Sequence, residues 1–125
     1  MAKYVDLITG NFDELCKFLE RELLATSFSA SLKSKFRTKV NDVRCCVQVY
    51  ERYSLSSSNC VSLNITLLEY QESIKIVAVA ACGRAYCFGK ARTWTDWTWG
   101  EEKFLEKFKE AVSQYQKKDV IKKIR

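Results

Sequence analysis

The residues with the widest chemical range stand together in one stretch. Arg84, Lys90 and Arg92 interleave there with Tyr86, Phe88 and Trp94, and Trp97 and Trp99 follow closely. Flat aromatic rings stack on bases or fill apolar pockets, while arginine and lysine neutralise phosphates. Tyr86, Phe88, Arg92, Trp94 and Trp97 are therefore the candidate binding residues. Gly83 and Gly89 before Lys90 imitate a phosphate-binding loop and fail on spacing. Five residues separate the glycines where four are required, and Ala91 lacks the hydroxyl that would hold Mg²⁺.

Catalysis and metal binding have thinner support. The chain has no histidine, and Cys16, Cys45, Cys46, Cys60, Cys82 and Cys87 contain no C-x-x-C pair, so zinc-finger and zinc-ribbon spacings are missing. Acid–base work would fall to a shifted Glu, Asp, Lys, Cys or Tyr, and no spacing pairs such groups. Glu51 and Glu69 read as carboxylates on the otherwise apolar face of the central strands, a position usually explained by pairing with Arg or Lys. No catalytic residue, metal or cofactor is expected, and the chain reads as non-enzymatic.

At 125 residues the chain is large enough for one domain with a sizeable core. Its 47% hydrophobic and 29% charged composition excludes a disordered chain. No apolar run reaches the ~18 residues that span a bilayer. The first ten residues lack the apolar core of a signal peptide, so a cytoplasmic location is expected, with thiols rather than disulfides. The formal charge of +6 is uneven. Met1 to Tyr70 holds nine Lys/Arg against eight Asp/Glu, and Gln71 to Arg125 twelve against seven. A moderately basic second half suits anionic partners without requiring them.

Strands from Val43 to Cys82 must position these residues. Val43, Cys45, Val47 and Val49 alternate with Arg44, Cys46, Gln48 and Tyr50, and Val61, Leu63, Ile65 and Leu67 alternate with polar residues. A hairpin centred on Ser57 pairs Val49 with Ile65 and Val47 with Leu67. A second connection at Gln71-Glu72, two or four residues long, pairs Leu67 with Ile76, Ile65 with Ala78 and Leu63 with Ala80. All these apolar rows then share one face. The last strand, Ser73 to Cys82, is apolar on its other face too, through Val77, Val79 and Ala81, as strands with both faces covered are.

Around this sheet, Lys3 to Ile8 reads as a short strand with Val5 and Leu7 on its apolar side. Asn11 and Glu14 form a capping box for a helix carrying Phe12, Leu15, Cys16, Leu19 and Leu23 to about Ala25. A strand with Phe28, Ala30, Leu32 and Phe36 opposite a basic outer row follows. Ala85 to Trp94 reads as another strand, and Thr98 with Glu101 as the cap of a closing helix with Phe104, Leu105, Phe108, Val112 and Tyr115 inside. Lys117 to Arg125 reads as a basic, solvated tail beyond a single domain at 1–116.

Val49-Tyr-Glu-Arg-Tyr-Ser54 with Val61-Ser-Leu-Asn64, and Trp99-Gly-Glu-Glu-Lys-Phe-Leu105, resemble a small uncharacterised bacterial family. That family has no assigned activity, so the resemblance implies a single α+β domain and no mechanism. Its members carry a plainer Gly/Ser-rich turn where this chain has Ala81-Cys-Gly-Arg84.

The expected fold is α+β: an antiparallel meander sheet of four to six strands, with an N-terminal helix and a long C-terminal helix packed on one face. This order of elements is similar to helix-grip folds. The leading functional expectation is a binding domain for an apolar small molecule or a protein partner, with a homodimer among the possibilities. Single-stranded nucleic-acid binding through the basic-aromatic stretch is the alternative, and no membrane partner is expected.

Overall fold

The computed structural model describes residues 2–26, 29–54, 59–82 and 94–124. In chain order these form β1 (Ala2–Thr9), α1 (Phe12–Leu24), β2 (Ser31–Val40), β3 (Val43–Ser54), β4 (Asn59–Tyr70), β5 (Ser73–Cys82) and α2 (Trp94–Ile124). The strands make one antiparallel sheet in the order β1-β5-β4-β3-β2. It is the expected α+β meander, with β1 added beside β5.

α1 begins where Asn11 caps it: the Asn11 Oδ1 accepts from the Glu14 backbone N–H at 3.0 Å. Asp13 and Glu14 lie at its positive end. Phe12, Leu15, Cys16, Phe18, Leu19 and Leu23 are buried. α2 packs on β5, β1 and β4 and beside α1, so both helices lie on one face of the sheet. Phe104, Phe108 and Val112 from α2 meet Leu63, Ile65, Leu67, Ile74, Ile76 and Ala78 in the core.

One contact ties the two ends of this arrangement together. The Asn11 N–H donates to the Tyr115 hydroxyl at 2.9 Å, and that hydroxyl donates back to the Asn11 carbonyl at 3.2 Å. Gly10, at φ 151°, makes the fit possible, because a Cβ there would stand 2.9 Å from the Tyr115 ring.

The β4–β5 register matches expectation: Leu67 faces Ile76, Ile65 faces Ala78 and Leu63 faces Ala80. Its connection is the two-residue Gln71-Glu72, with φ 47° and 68°. Both angles are positive, the pattern of a type I′ turn.

The β3–β4 register does not match. Gln48, not Val49, faces Ile65, and Cys46, not Val47, faces Leu67. The last ladder pair is Ser54 with Asn59, so the loop has an even residue count and its centre falls between residues instead of on Ser57. This slip of one residue turns β3 over. Cys46, Gln48 and Tyr50 enter the core, while Val43, Cys45, Val47 and Val49 look away from the helices.

The inverted strand is tolerated because its core-facing row is amphipathic rather than polar. Arg44 and Arg52 lay their guanidinium groups over the Phe12 and Phe104 rings at 4.8 and 5.1 Å. Glu69 is also on the helix side, where it accepts from Arg44 Nε at 2.6 Å. Glu51 is on the other side, 3.9 Å from Lys33 Nζ. The two carboxylates expected to share a face are therefore separated by the sheet.

β2 is redirected by a bulge between Leu32 and Ser34. Leu32 opposes Tyr50 on the core side, but Phe36 opposes Val47 on the other. The basic row of Lys35 and Arg37 consequently faces α1, where Lys35 bonds Glu20 at 2.8 Å and Arg37 bonds Asp13. In β1, Tyr4 and Ile8 face the helices, so Val5 and Leu7 are outside, contrary to the expected apolar side.

α2 starts at Trp94, ahead of the expected cap at Thr98, and Trp94 belongs to this helix instead of ending a strand. Residues three apart share a face inside a helix as well as at its start, so the Thr98–Glu101 spacing does not mark the boundary. The helix continues to Ile124, through the residues read as a basic tail.

Candidate functional site: the open face of the sheet

Among the described residues, no element covers the sheet face opposite the helices. Its rows follow from the ladder. One runs Val5, Val77, Thr66, Val47, Phe36; the next runs Leu7, Lys75, Leu68, Cys45, Thr38. Val79 and Val49 lie below the first, and Val43 and Val40 above the second.

Several of these apolar side chains are well exposed: Leu7 and Val40 at 65%, Phe36 at 58%, and Val5 and Tyr70 at 50%. Exposed apolar residues are ordinary when scattered, whereas a contiguous band across five strands marks an interaction surface. Charge is sparse on this face. Lys75 interrupts the second row, Lys3 lies at the β1 edge, and Lys33 is beside Glu51.

The face is not flat. Leu7, Val43, Leu68, Tyr70, Gln71, Ser73 and Lys75 line a hollow of about 380 Å³ at the end where the β4–β5 turn closes. Phe36 stands proud at the opposite edge of the sheet. The surface thus carries both a projection and a recess.

A different concavity lies on the helix side, about 370 Å³ between α1 and α2, lined by Glu14, Lys17, Phe18, Arg21, Tyr115, Lys118 and Asp119. The chain's own cations occupy its apolar wall: Arg21 and Lys118 approach the Phe18 ring at 5.4 and 5.0 Å. Its surface is mostly apolar, with charged side chains among the residues that line it.

The core-side chemistry centres on Gln48. Its Nε2 donates to the Cys16 carbonyl at 3.4 Å and lies 3.8 Å from Cys46 Sγ, and its Oε1 accepts from the Tyr50 hydroxyl at 2.7 Å. Burial raises the Tyr50 phenol, and burial with a bond to Asp6 raises Tyr4, so both keep their protons at neutral pH. Neither can serve as a phenolate base. Among the described residues, no group of three His, Cys, Asp or Glu could hold a metal ion.

Of the residues expected to form a binding surface, Tyr86, Phe88 and Arg92 lie outside the described residues, and Trp94 and Trp97 fall in the opening turns of α2. The open face instead brings together Val5, Leu7, Phe36, Val47, Val49, Val77 and Val79. The two-sided apolarity of β5 pointed to it; the inversion of β3 and the bulge in β2 completed it.

A family model matches residues 1–116, which covers β1 through β5 and α2 as far as the residue after Tyr115. The chain belongs to DUF6054, a family of unknown function. The DUF6054 match includes every residue of the open face named above. No curated protein matches the sequence. No helix among the described residues is long and apolar enough to cross a membrane.

Proposed function

We propose that this DUF6054 chain is a non-enzymatic, cytoplasmic binding domain whose working surface is the open face of its sheet, and that the face receives a second copy of the chain. The observation that carries this reading is the band from Val5 and Leu7 to Phe36 and Val40, which no described element covers. Sheets of this kind stack face to face about 10 Å apart with strands nearly aligned.

Size, charge and shape all favour self-association. Five strands at ~4.8 Å and about eight ladder positions at ~3.3 Å give a footprint of roughly 600 Å² before side-chain relief is counted. A stable pair needs about 800 Å² of accessible surface from each partner, which a corrugated face of that footprint can supply. Of the charges on this face, Lys33 already has Glu51 and Lys3 is at the rim, which leaves Lys75 as the one inner charge to lose water on contact. A two-fold interface requires one patch to be complementary to itself. The Phe36 projection and the Leu7–Leu68–Tyr70 hollow provide that complement. A cytoplasmic setting also suits the free thiol of Cys45 on this face, which a reducing compartment keeps as a thiol.

Native mass spectrometry and sedimentation velocity of the full chain test this reading. A dimer that becomes monomeric in Val47→Lys and Val77→Lys, with unchanged far-UV circular dichroism, supports it. A wild-type monomer at tens of micromolar overturns the second copy and leaves the face to a different protein. Extra mass lost on denaturation overturns it in favour of a small molecule in the hollow.

A further inference from the structure

α2 changes the side on which it is apolar. As far as Tyr115, its buried residues Phe104, Phe108, Ala111, Val112 and Tyr115 recur at the three- and four-residue steps of one helix face and join the core. Asp119, four residues after Tyr115, continues that face and lines a hollow with Thr9, Gly10, Asn11 and Glu72 at the end of the sheet. Val120 and Ile121 do not continue it. They follow the exposed Ser113 and Gln114 by seven positions, about two turns, and so lie on the outer face, where each is 54% exposed. The helix backbone runs on to Ile124, one turn after Val120.

A lone exposed aliphatic residue is ordinary. Here two adjoin, and cations surround them. From residue 117 onward the sequence holds Lys117, Lys118, Lys122, Lys123 and Arg125 against Asp119 alone. Lys117 stands one turn before Ile121 on the outer face, and Lys118 is exposed beside it. Lys17 and Arg21 of α1 line the groove between the helices with Lys118, against Glu14 and Asp119, and extend the positive charge onto α1. The stretch follows the residues matched to DUF6054, so it is an addition to the matched domain.

We propose that the last two turns of α2 dock on an anionic lipid surface. Val120 and Ile121 enter the boundary between headgroups and acyl chains, and Lys117 and Lys118 keep their ammonium groups at the lipid phosphates while their methylene stems follow the aliphatics inward. Charge complementarity selects this occupant. A nucleic acid satisfies the cations and leaves the aliphatics in water. A second copy laid on the same stripe brings like charges together. An anionic lipid surface satisfies both kinds of residue. The contact is interfacial, since no helix among the described residues is long and apolar enough to cross a membrane. The sequence, with 117–125 taken as a solvated tail, leads one to expect no membrane partner; the helix that runs through those residues supplies the outer stripe. The proposal stands apart from the open face of the sheet.

The test is flotation of the full chain with vesicles of phosphatidylglycerol and phosphatidylcholine, beside vesicles of phosphatidylcholine alone. The chain should float with the first and stay behind with the second, and the floating fraction should fall as salt rises. No flotation with the anionic vesicles, or equal flotation with both, overturns the proposal. Val120→Gln with Ile121→Gln keeps every charge and places a good helix former at both exposed positions, and it should weaken binding on the order of tenfold. Undiminished binding in that pair would mean adsorption by charge alone, as to any polyanion such as a nucleic acid, and overturns the lipid surface as the occupant. Lys117→Gln with Lys122→Gln should weaken binding to the anionic vesicles as well. Unchanged circular dichroism of the variants checks the fold, and the wild-type comparison of the two vesicles stands even where a variant folds poorly.

Discussion

The two faces of the sheet differ less in composition than in company. On the helix side, Ile74, Ile76, Leu63, Ile65 and Leu67 are all fully buried. On the open side, Val77, Val79 and Leu68 occupy neighbouring positions of the same strands with similar chemistry, and Val47 and Val49 of β3 continue the rows. The helix side has two helices laid over it, and the open side has none among the described residues. An apolar row is thus a demand for a cover, and this chain supplies from its own described elements only half of what it demands.

The comparison breaks hardest in the core. Phe108 is fully buried and meets Tyr4 edge-to-face at 6.0 Å, so Phe108→Ala should cost about 3–5 kcal/mol in urea unfolding. Val47→Ala on the open face should cost under about 1 kcal/mol in the isolated chain. A loss at Val47 that grows with protein concentration would show that the face is covered in solution.

Two intermediate effects sharpen the picture of the helix side. Gln48→Leu strands the Tyr50 hydroxyl and should cost about 1–3 kcal/mol, and adding Tyr50→Phe should recover part of it. Gly10→Ala should cost about 1–3 kcal/mol, because the new Cβ meets Tyr115 and φ is unfavourable for any side chain. Chemical unfolding of the purified variants reads both.

The smallest effect lies at the rim. Asp13 bonds Arg37 and Arg44, and the bond from Arg37 above all holds its carboxyl below the usual aspartate range. A depressed carboxyl stabilises the fold above its unfolded value, and that share is lost as pH falls through the folded value. Asp13→Asn should therefore cost about 0.2–1 kcal/mol at neutral pH, an exposed pair being well screened, and nothing in strong acid. Stability curves of both chains across the acid range check this.

Much of the fold was legible because several signals agreed. Asn11, Asp13 and the Leu15–Leu19–Leu23 spacing specify α1 together, and the parity of Leu67 with Ile76 specifies β4–β5. β3 was misread for a physical reason. Alternation separates two rows without saying which faces inward when the polar-looking row holds Tyr50, a bonded Gln48 and arginines that cover phenylalanine rings. The decision rested on whether an odd or an even number of residues separates the β3 and β4 ladders, which residue types there do not fix. The open face was half visible, through Val77 and Val79; the Leu32–Ser34 bulge that turns Phe36 outward left no mark in the pattern.

The place of β1 beside β5 also sets a timetable for synthesis. Ala2 pairs with Ala80 and Thr9 with Ser73, so β1 leaves the ribosome well before β5 and must wait for it. At translation speeds of about 5–20 residues per second that wait lasts several seconds. Throughout it, Val5, Leu7 and Ile8 have no neighbouring strand, and a nascent chain halted before Ser73 carries a β1 with nothing to pair with.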